Sequence, residues 1–200
     1  MNQISMKPEA AKSGGISGLL KSKILWLIVG SIGLFILFAI LGSVLTPKKS
    51  SVKDDVVWLQ LHLGSTSKVI SEYQPKVKSS ILRSSSASLS TVLASTNSKL
   101  TDYIAEKYKD KKDKDKDKQL NAKIASQQES LETELFEAKI TGALDRVYAH
   151  KMAYEISIFL AEEAKIRKES KDDVLNAIID ESYSSLENLY ANFDSFSEGS

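Results

Sequence analysis

The chain has no cysteine, which excludes disulfides, thiolate metal ligands and a cysteine nucleophile without identifying the compartment. It has three prolines, and most of its nine glycines fall in the first 42 residues, so the remainder is favourable for long helices. Neither sign of charge dominates. The 27 basic and 26 acidic residues leave a net charge of +1, too weak an overall field to gather nucleic acid or acidic substrates. Histidine is scarce, with only His62 and His150 in 200 residues. There is no glycine-rich phosphate loop, no nucleophile elbow and no Ser-His-Asp set. Sustained strand alternation is missing too, which predicts an all-α chain.

What the sequence does have is one long apolar run. From Ile24 to Leu45 stand 22 residues without a formal charge, ILWLIVGSIGLFILFAILGSVL. A helix of that length spans about 33 Å, against a hydrocarbon core of about 30 Å. A helix is expected because every backbone polar group in lipid must find its partner within the segment. Trp26 lies one turn inside the first end, Lys21 and Lys23 bound that end, and Lys48 and Lys49 bound the other. A buried core helix this apolar would be unusual in so small a domain. A signal-peptide core is shorter, about 7–15 residues, and no clear small-x-small cleavage site follows Leu45. The run therefore predicts an uncleaved transmembrane helix over 23–46.

Lys7, Lys12, Lys21 and Lys23 precede it, against Lys48, Lys49 and Lys53 after it. That margin and the short tail favour a cytoplasmic N-terminus and an extracytoplasmic C-terminal domain at the cell membrane. Gly30, Gly33, Ala39 and Ser43 are small, and Ala39 and Ser43 have a spacing that lets two spans approach closely. These four are the candidate interface residues of the span, although small residues are common in such helices anyway.

Residues 1–22 lack periodicity and read as a flexible cytoplasmic tail, and 47–54 as a linker. Beyond them apolar residues recur at helical spacing. Val57, Leu61, Val69, Ile70 and Tyr73 mark a first helix ending near Pro75. A second runs from Val77 to about Lys109, with Ser79, Ser80, Ser84, Ser88, Ser90, Ser95 and Ser98 on its polar face. The Lys/Asp alternation at 109–118 offers no apolar face and reads as a solvated connection. Leu120, Ile124, Leu131 and Leu135 mark a third helix, and Gly142 a break. The fourth, Leu144 to Leu160, is apolar on more than one side and should be the most buried. Ser170 with Asp173 resembles a capping box before a last helix carrying Leu175, Ile179, Leu186 and Phe193. Phe196 belongs to a short tail expected to fray. The expected architecture is an antiparallel bundle of four to five helices over 55–196.

The stretch LFEAKITGALDRVY at 135–148, followed by AHKMAYEISIFLAEEA, resembles a ferritin-like domain family of unknown function (domain family 4142), found mainly in bacterial envelope proteins. Gly142, Leu144, Asp145, Arg146 and Tyr148 match its Gly and Phe-Asp-Arg-x-Tyr pattern, with leucine in place of phenylalanine. Asn97 and Leu100 resemble the end of its first helical pair. The resemblance implies a ferritin-like fold and an envelope setting. The family's two Asp-His places fall at Val92-Leu93 and Glu155-Ile156, so both histidines are missing and no active site comes with the resemblance.

Several chemistries were weighed on the residues themselves. A ferritin-type di-metal site needs Glu-x-x-His, yet Leu59 and Val147 stand three residues before the two histidines. Both histidines therefore read as surface or edge residues. Asp113, Asp115 and Asp117 mimic the start of a calcium loop, but Lys118 and Ile124 occupy its sixth and twelfth places. Glu129, Glu132, Glu134 and Glu137, like Glu162 and Glu163, read as solvated helix faces rather than catalytic carboxylates. No catalytic, cofactor-binding or metal-binding residue is assigned. The expected partners are the lipid bilayer through residues 24–45 and a protein partner or a second copy, without nucleic acid. The leading reading is a non-catalytic binding or structural envelope protein. The alternatives are a ferritin-like metal-binding protein or enzyme, and an accessory subunit of a membrane complex.

Overall fold

Helices begin in this chain where a short polar side chain satisfies an orphan backbone N–H. Ser51 Oγ accepts from the Asp54 N–H at 3.3 Å and opens α1, Val52–Tyr73. Ser79 Oγ accepts from the Leu82 N–H at 3.3 Å and opens α2, Ser80–Lys107. Then follow α3, Lys114–Ile140, α4, Leu144–Glu169, and α5, Asp173–Glu198. This computed structural model describes residues 51–109 and 114–198. The span expected at Ile24–Leu45, with Gly30, Gly33, Ala39 and Ser43, lies outside them, as does the tail before it. Among the described residues no helix is long and apolar enough to cross a membrane, and none forms a strand.

Four helices close a ring in which α1 packs on α2, α2 on α5, α5 on α4 and α4 on α1. Cross-links set the directions. Gln60 reaches Asn97, Asp55 meets Lys165 and Arg167 meets Asp180, so each of these neighbours is antiparallel. The connection between the two helical pairs is itself a helix: α3 packs against α1 and α4. It runs parallel to α1, since Ser65 donates to Gln128 and Tyr73 to the Glu132 carbonyl. The core fills the ring. Leu59, Leu63 and Ile70 meet Leu82, Leu89, Leu93 and Leu100, with Ile156 and Phe159 of α4 and Leu186 and Phe193 of α5. Each such side chain contributes about 1.5–3 kcal/mol by leaving water. Most serines of α2 stand outside, with Ser80, Ser84, Ser88, Ser95 and Ser98 exposed, but Ser86 is fully buried and donates to the Leu82 carbonyl at 2.6 Å.

The all-helical bundle agrees with the sequence reading, but four details differ. The Lys/Asp connection is shorter than 109–118, because α3 already begins at Lys114. A missing apolar face does not by itself forbid a helical backbone, and lysine is a good helix former. The cap of α5 is Asp172 rather than Ser170: Asp172 Oδ1 accepts from the N–H groups of Val174 and Leu175 at 3.0 and 3.1 Å. Ser170 Oγ accepts instead from the Asp172 N–H, one step earlier. Phe196 packs against the core, and α5 continues to Glu198 instead of fraying. In α1 the buried stripe runs through Val56, Leu59 and Leu63, while Val57 and Leu61 are only half-buried.

The residues that carry the family resemblance form a joint. Gly142 adopts φ 76°, a left-handed conformation that a side chain would strain. Around it the Ala143 N–H bonds to the Ala138 carbonyl at 2.9 Å and the Gly142 N–H to the Lys139 carbonyl at 3.3 Å, closing α3. Three residues later Asp145 reaches across to the start of α2. Its two oxygens accept from the Lys78 and Ser79 N–H groups at 2.9 and 2.7 Å. Tyr148 is fully buried, and burial pushes its hydroxyl up to about 12 against an opposing effect of Ser86. Replacing Asp145 by alanine strands two backbone donors. It is expected to cost about 1.5–3 kcal/mol of unfolding free energy, the range for hydrogen bonds to a charged group. Urea denaturation followed by circular dichroism checks this, and Asp145→Asn should retain part of the loss.

Candidate functional site

Helix α4 packs against α1, α3 and α5 and exposes one stripe, through Arg146, His150, Tyr154, Ser157, Ala161 and Ala164, so polar residues at core spacing must find partners inside. Glu155 is the first of them. Its Oε2 lies 2.8 Å from His62 Nε2 on α1, and the two residues are 8 and 4% exposed. The ring N–H is not aimed at the oxygen, and His62 Nδ1 has no hydrogen-bond partner, so the contact is a close polar pair rather than an aligned hydrogen bond. Trp58 and Phe159 meet the imidazole edge-on, with ring centroids 4.7 and 4.9 Å away. A carboxylate beside an imidazole is the orienting half of many acid–base sites. Here aromatic rings stand on the imidazole where a substrate would have to approach.

Two turns along the same seam, Lys165 Nζ lies 2.7 Å from Asp55 Oδ1 and 3.3 Å from Glu162 Oε1. Burial pulls Lys165 down, but the Asp55 and Glu162 carboxylates outweigh it and hold the ammonium above its ordinary value. Glu162 is raised as well. Burial is the largest cause, Lys165 opposes it, and the neighbouring Asp55 carboxylate adds to it. Lys165 is raised because two carboxylates flank it, and Glu162 is raised chiefly because it is buried. The cluster forms one wall of an open cleft of about 490 Å³ between α1, α4 and the start of α3, with Trp58, Leu120 and Lys123 also lining it.

Glu163, the next residue, turns the other way and is fully buried. Its Oε1 accepts a 2.6 Å hydrogen bond from Ser182 Oγ of α5, while Oε2 has no partner. Burial pushes the carboxyl up from its ordinary 4.5 to about 8, with the Ser182 hydroxyl opposing. At neutral pH the group is mainly a protonated acid, because an unpaired charge there would lack both water and a cation.

Two sequence readings are corrected by these placements. His62 is not at a surface or edge, although His150 is exposed as expected. Glu163 is in the core, whereas Glu129, Glu134 and Glu137 are solvated. The signal for both was spacing. His62 follows Leu59 by three and precedes Thr66 by four, and Glu163 follows Phe159 by four and precedes Ile166 by three, all core positions. Leu93 and Ile156, where the resembled pattern has histidine, are fully buried apolar residues. Beside Ile156, the Glu155 carboxylate meets the imidazole of His62 on α1. Among the described residues no group of three or more His, Asp or Glu side chains is placed to hold a metal ion.

Two measurements test the buried groups. Glu163 binds its proton more tightly in the folded chain, so its contribution is complete below about pH 4.5 and is lost as pH rises toward about 8. Between pH 6 and 9 the native chain should lose on the order of a few kcal/mol of stability, and Glu163→Gln should flatten that slope in urea denaturation. For the second pair, His62→Leu or Glu155→Leu alone leaves a buried polar partner and should cost about 1–3 kcal/mol. The double substitution should cost less than the sum, with a coupling of about 1 kcal/mol or more in a double-mutant cycle.

No protein-family model, no curated protein and no solved structure matches this chain. What the site does is therefore argued from its own residues.

Proposed function

We propose that this protein is a single-pass membrane protein whose extracytoplasmic helical bundle binds a partner or serves a structural role in the cell envelope, without catalysis. The observation that carries the non-catalytic part is where the reactive side chains are engaged. His62 meets Glu155, Lys165 meets Asp55 and Glu162, and Glu163 meets Ser182. Lys107 meets Asp172 and Lys99 meets Glu181 between α2 and α5. Each tie joins one helix to another, Lys165–Glu162 within α4 excepted. An acid–base site presents such a group to a substrate; the Lys165 cluster does reach an open cleft, but there the ammonium is held between two carboxylates.

The anchor rests on the sequence: 22 consecutive uncharged residues with lysines at both ends. A ferritin-like ancestry is supported by the Gly142–Tyr148 stretch. Two antiparallel pairs joined by one long crossover are also the connectivity of ferritin-like bundles, and here α3 occupies that crossover.

Sedimentation of detergent-free lysate tests the anchor directly. The full chain should pellet with membranes and resist an alkaline wash, and deletion of 24–45 should move it to the supernatant. A full chain that remains in the supernatant ends the membrane reading. Protease added to intact cells should cleave the bundle if it faces outward.

A further inference from the structure

Helices α4 and α5 run antiparallel, and an open groove of about 430 Å³ lies between their solvent faces. Its floor is apolar, with Ala164 of α4 and Tyr183 of α5 beside the buried Ile179. The rim is charged and divided by sign. Helix α4 supplies Arg167 and Lys168, whereas α5 supplies Asp180 and Glu187. That division extends past the groove, since α5 has no lysine or arginine anywhere along Asp173–Glu198.

Only half of the rim charge is used within the chain. Arg167 Nε lies 2.8 Å from Asp180 Oδ1, which closes one pair across the groove. Lys168 and Glu187 are exposed, and neither has an ion partner among the described residues. Lys168 is next to the Arg167–Asp180 tie, and Glu187 stands seven residues, about two turns, further along α5. The groove therefore carries an unpaired cation toward one end, an unpaired anion toward the other and an uncharged floor between them.

A surface of that kind is its own complement. A second copy turned by a two-fold brings each cation to the other's anion and floor against floor. An anionic surface would meet the acids of α5 and a cationic one the bases of α4, so neither suits both walls. The α4 face that continues from the groove adds no charge for docking to desolvate. Ala161, Ser157 and Tyr154 follow Ala164 along the solvent stripe, and the Tyr154 side chain is 56% exposed, an aromatic of the kind enriched where proteins meet.

We infer that the α4–α5 groove is the docking surface for a second copy of this chain, an isologous contact in which Lys168 of each copy meets Glu187 of the other. The inference rests on the reading of the bundle as a binding domain and names its partner; it does not depend on the anchor.

The lack of cysteine supplies the test, because a cysteine introduced into the full chain is the only one present. Ser184→Cys places a thiol at the groove, and Ser95→Cys places one on the exposed face of α2 as a control. Cells expressing either chain are treated with a short, membrane-permeant bismaleimide, and cross-linked dimer is measured on denaturing gels in the membrane and supernatant fractions alike. Ser184→Cys should give several times the dimer of Ser95→Cys. Adding Lys168→Glu or Glu187→Lys to the Ser184→Cys chain should each lower the yield by about fivefold or more, because like charges then face each other at both contacts. Coexpression of those two variants under different tags should restore cross-linking as a mixed dimer, since an acid again meets a base at each contact. Circular dichroism on the purified variants confirms that the bundle is intact. Equal cross-linking from the two cysteines overturns the inference, as does a yield unchanged by charge reversal or a mixed dimer that is not restored. Failure of the membrane reading is separately visible, as a chain and a dimer found in the supernatant.

Discussion

The structure depends on the fact that α4 is pressed by three other helices. The solvent face of that helix is confined to one stripe, through His150, Tyr154, Ser157, Ala161 and Ala164, so an acidic residue at a core spacing must either be neutralised or be given a partner from another element. Both solutions occur within three turns. Glu155 meets His62 of α1, and Glu163 takes a hydroxyl from Ser182 of α5 while burial holds its proton in place. The partner of each carboxyl comes from a different helix, so the polar contacts also specify which helices pack on which sides of α4. A uniformly apolar α4 would pack as tightly but would discriminate less between rotated arrangements.

The joint at Gly142–Tyr148 does related work at the other end of the bundle. The left-handed glycine stops α3, and the next turn supplies the Asp145 carboxylate that ties down the start of α2. Three elements that are distant in sequence are thereby fixed at one point. A sequence pattern that resembles a family signature thus has a mechanical explanation at four of its residues: Gly142 bends the backbone, Asp145 ties down the start of α2, and Leu144 and Tyr148 fill the core, while Arg146 is exposed.

The crossover helix gives the bundle its surface relief. Lying along α1, α3 separates two clefts with different walls. Helix α4 contributes Glu162 and Lys165 to one and α2 contributes Tyr108 and Lys109 to the other, while α1 adds Asp54 and Asp55 to the first and Val57 and Leu61 to the second. One helix laid across a ring of four thus divides a shared α1 surface in two.

Much of the fold was legible in the sequence. The scarcity of proline, the helical spacing of apolar residues and the glycine at 142 fix the helices and most of their ends, because these are local backbone preferences. The seven-residue repeat of Leu82, Leu89 and Leu93–Leu100 names the buried face of α2 outright, since serine occupies the opposite one. The uncharged run at 24–45 lies outside the described residues, and its reading as a span rests on composition alone. In α1 and α4, by contrast, apolar residues stand on several faces, as Val56, Val57, Leu59, Leu61 and Leu63 do. Periodicity there leaves the rotation about the helix axis open. Only packing resolved it, placing His62 and Glu163 inside and Val57 and Leu61 at the rim, because burial on a multiply apolar helix is decided by which neighbours arrive and not by the helix itself.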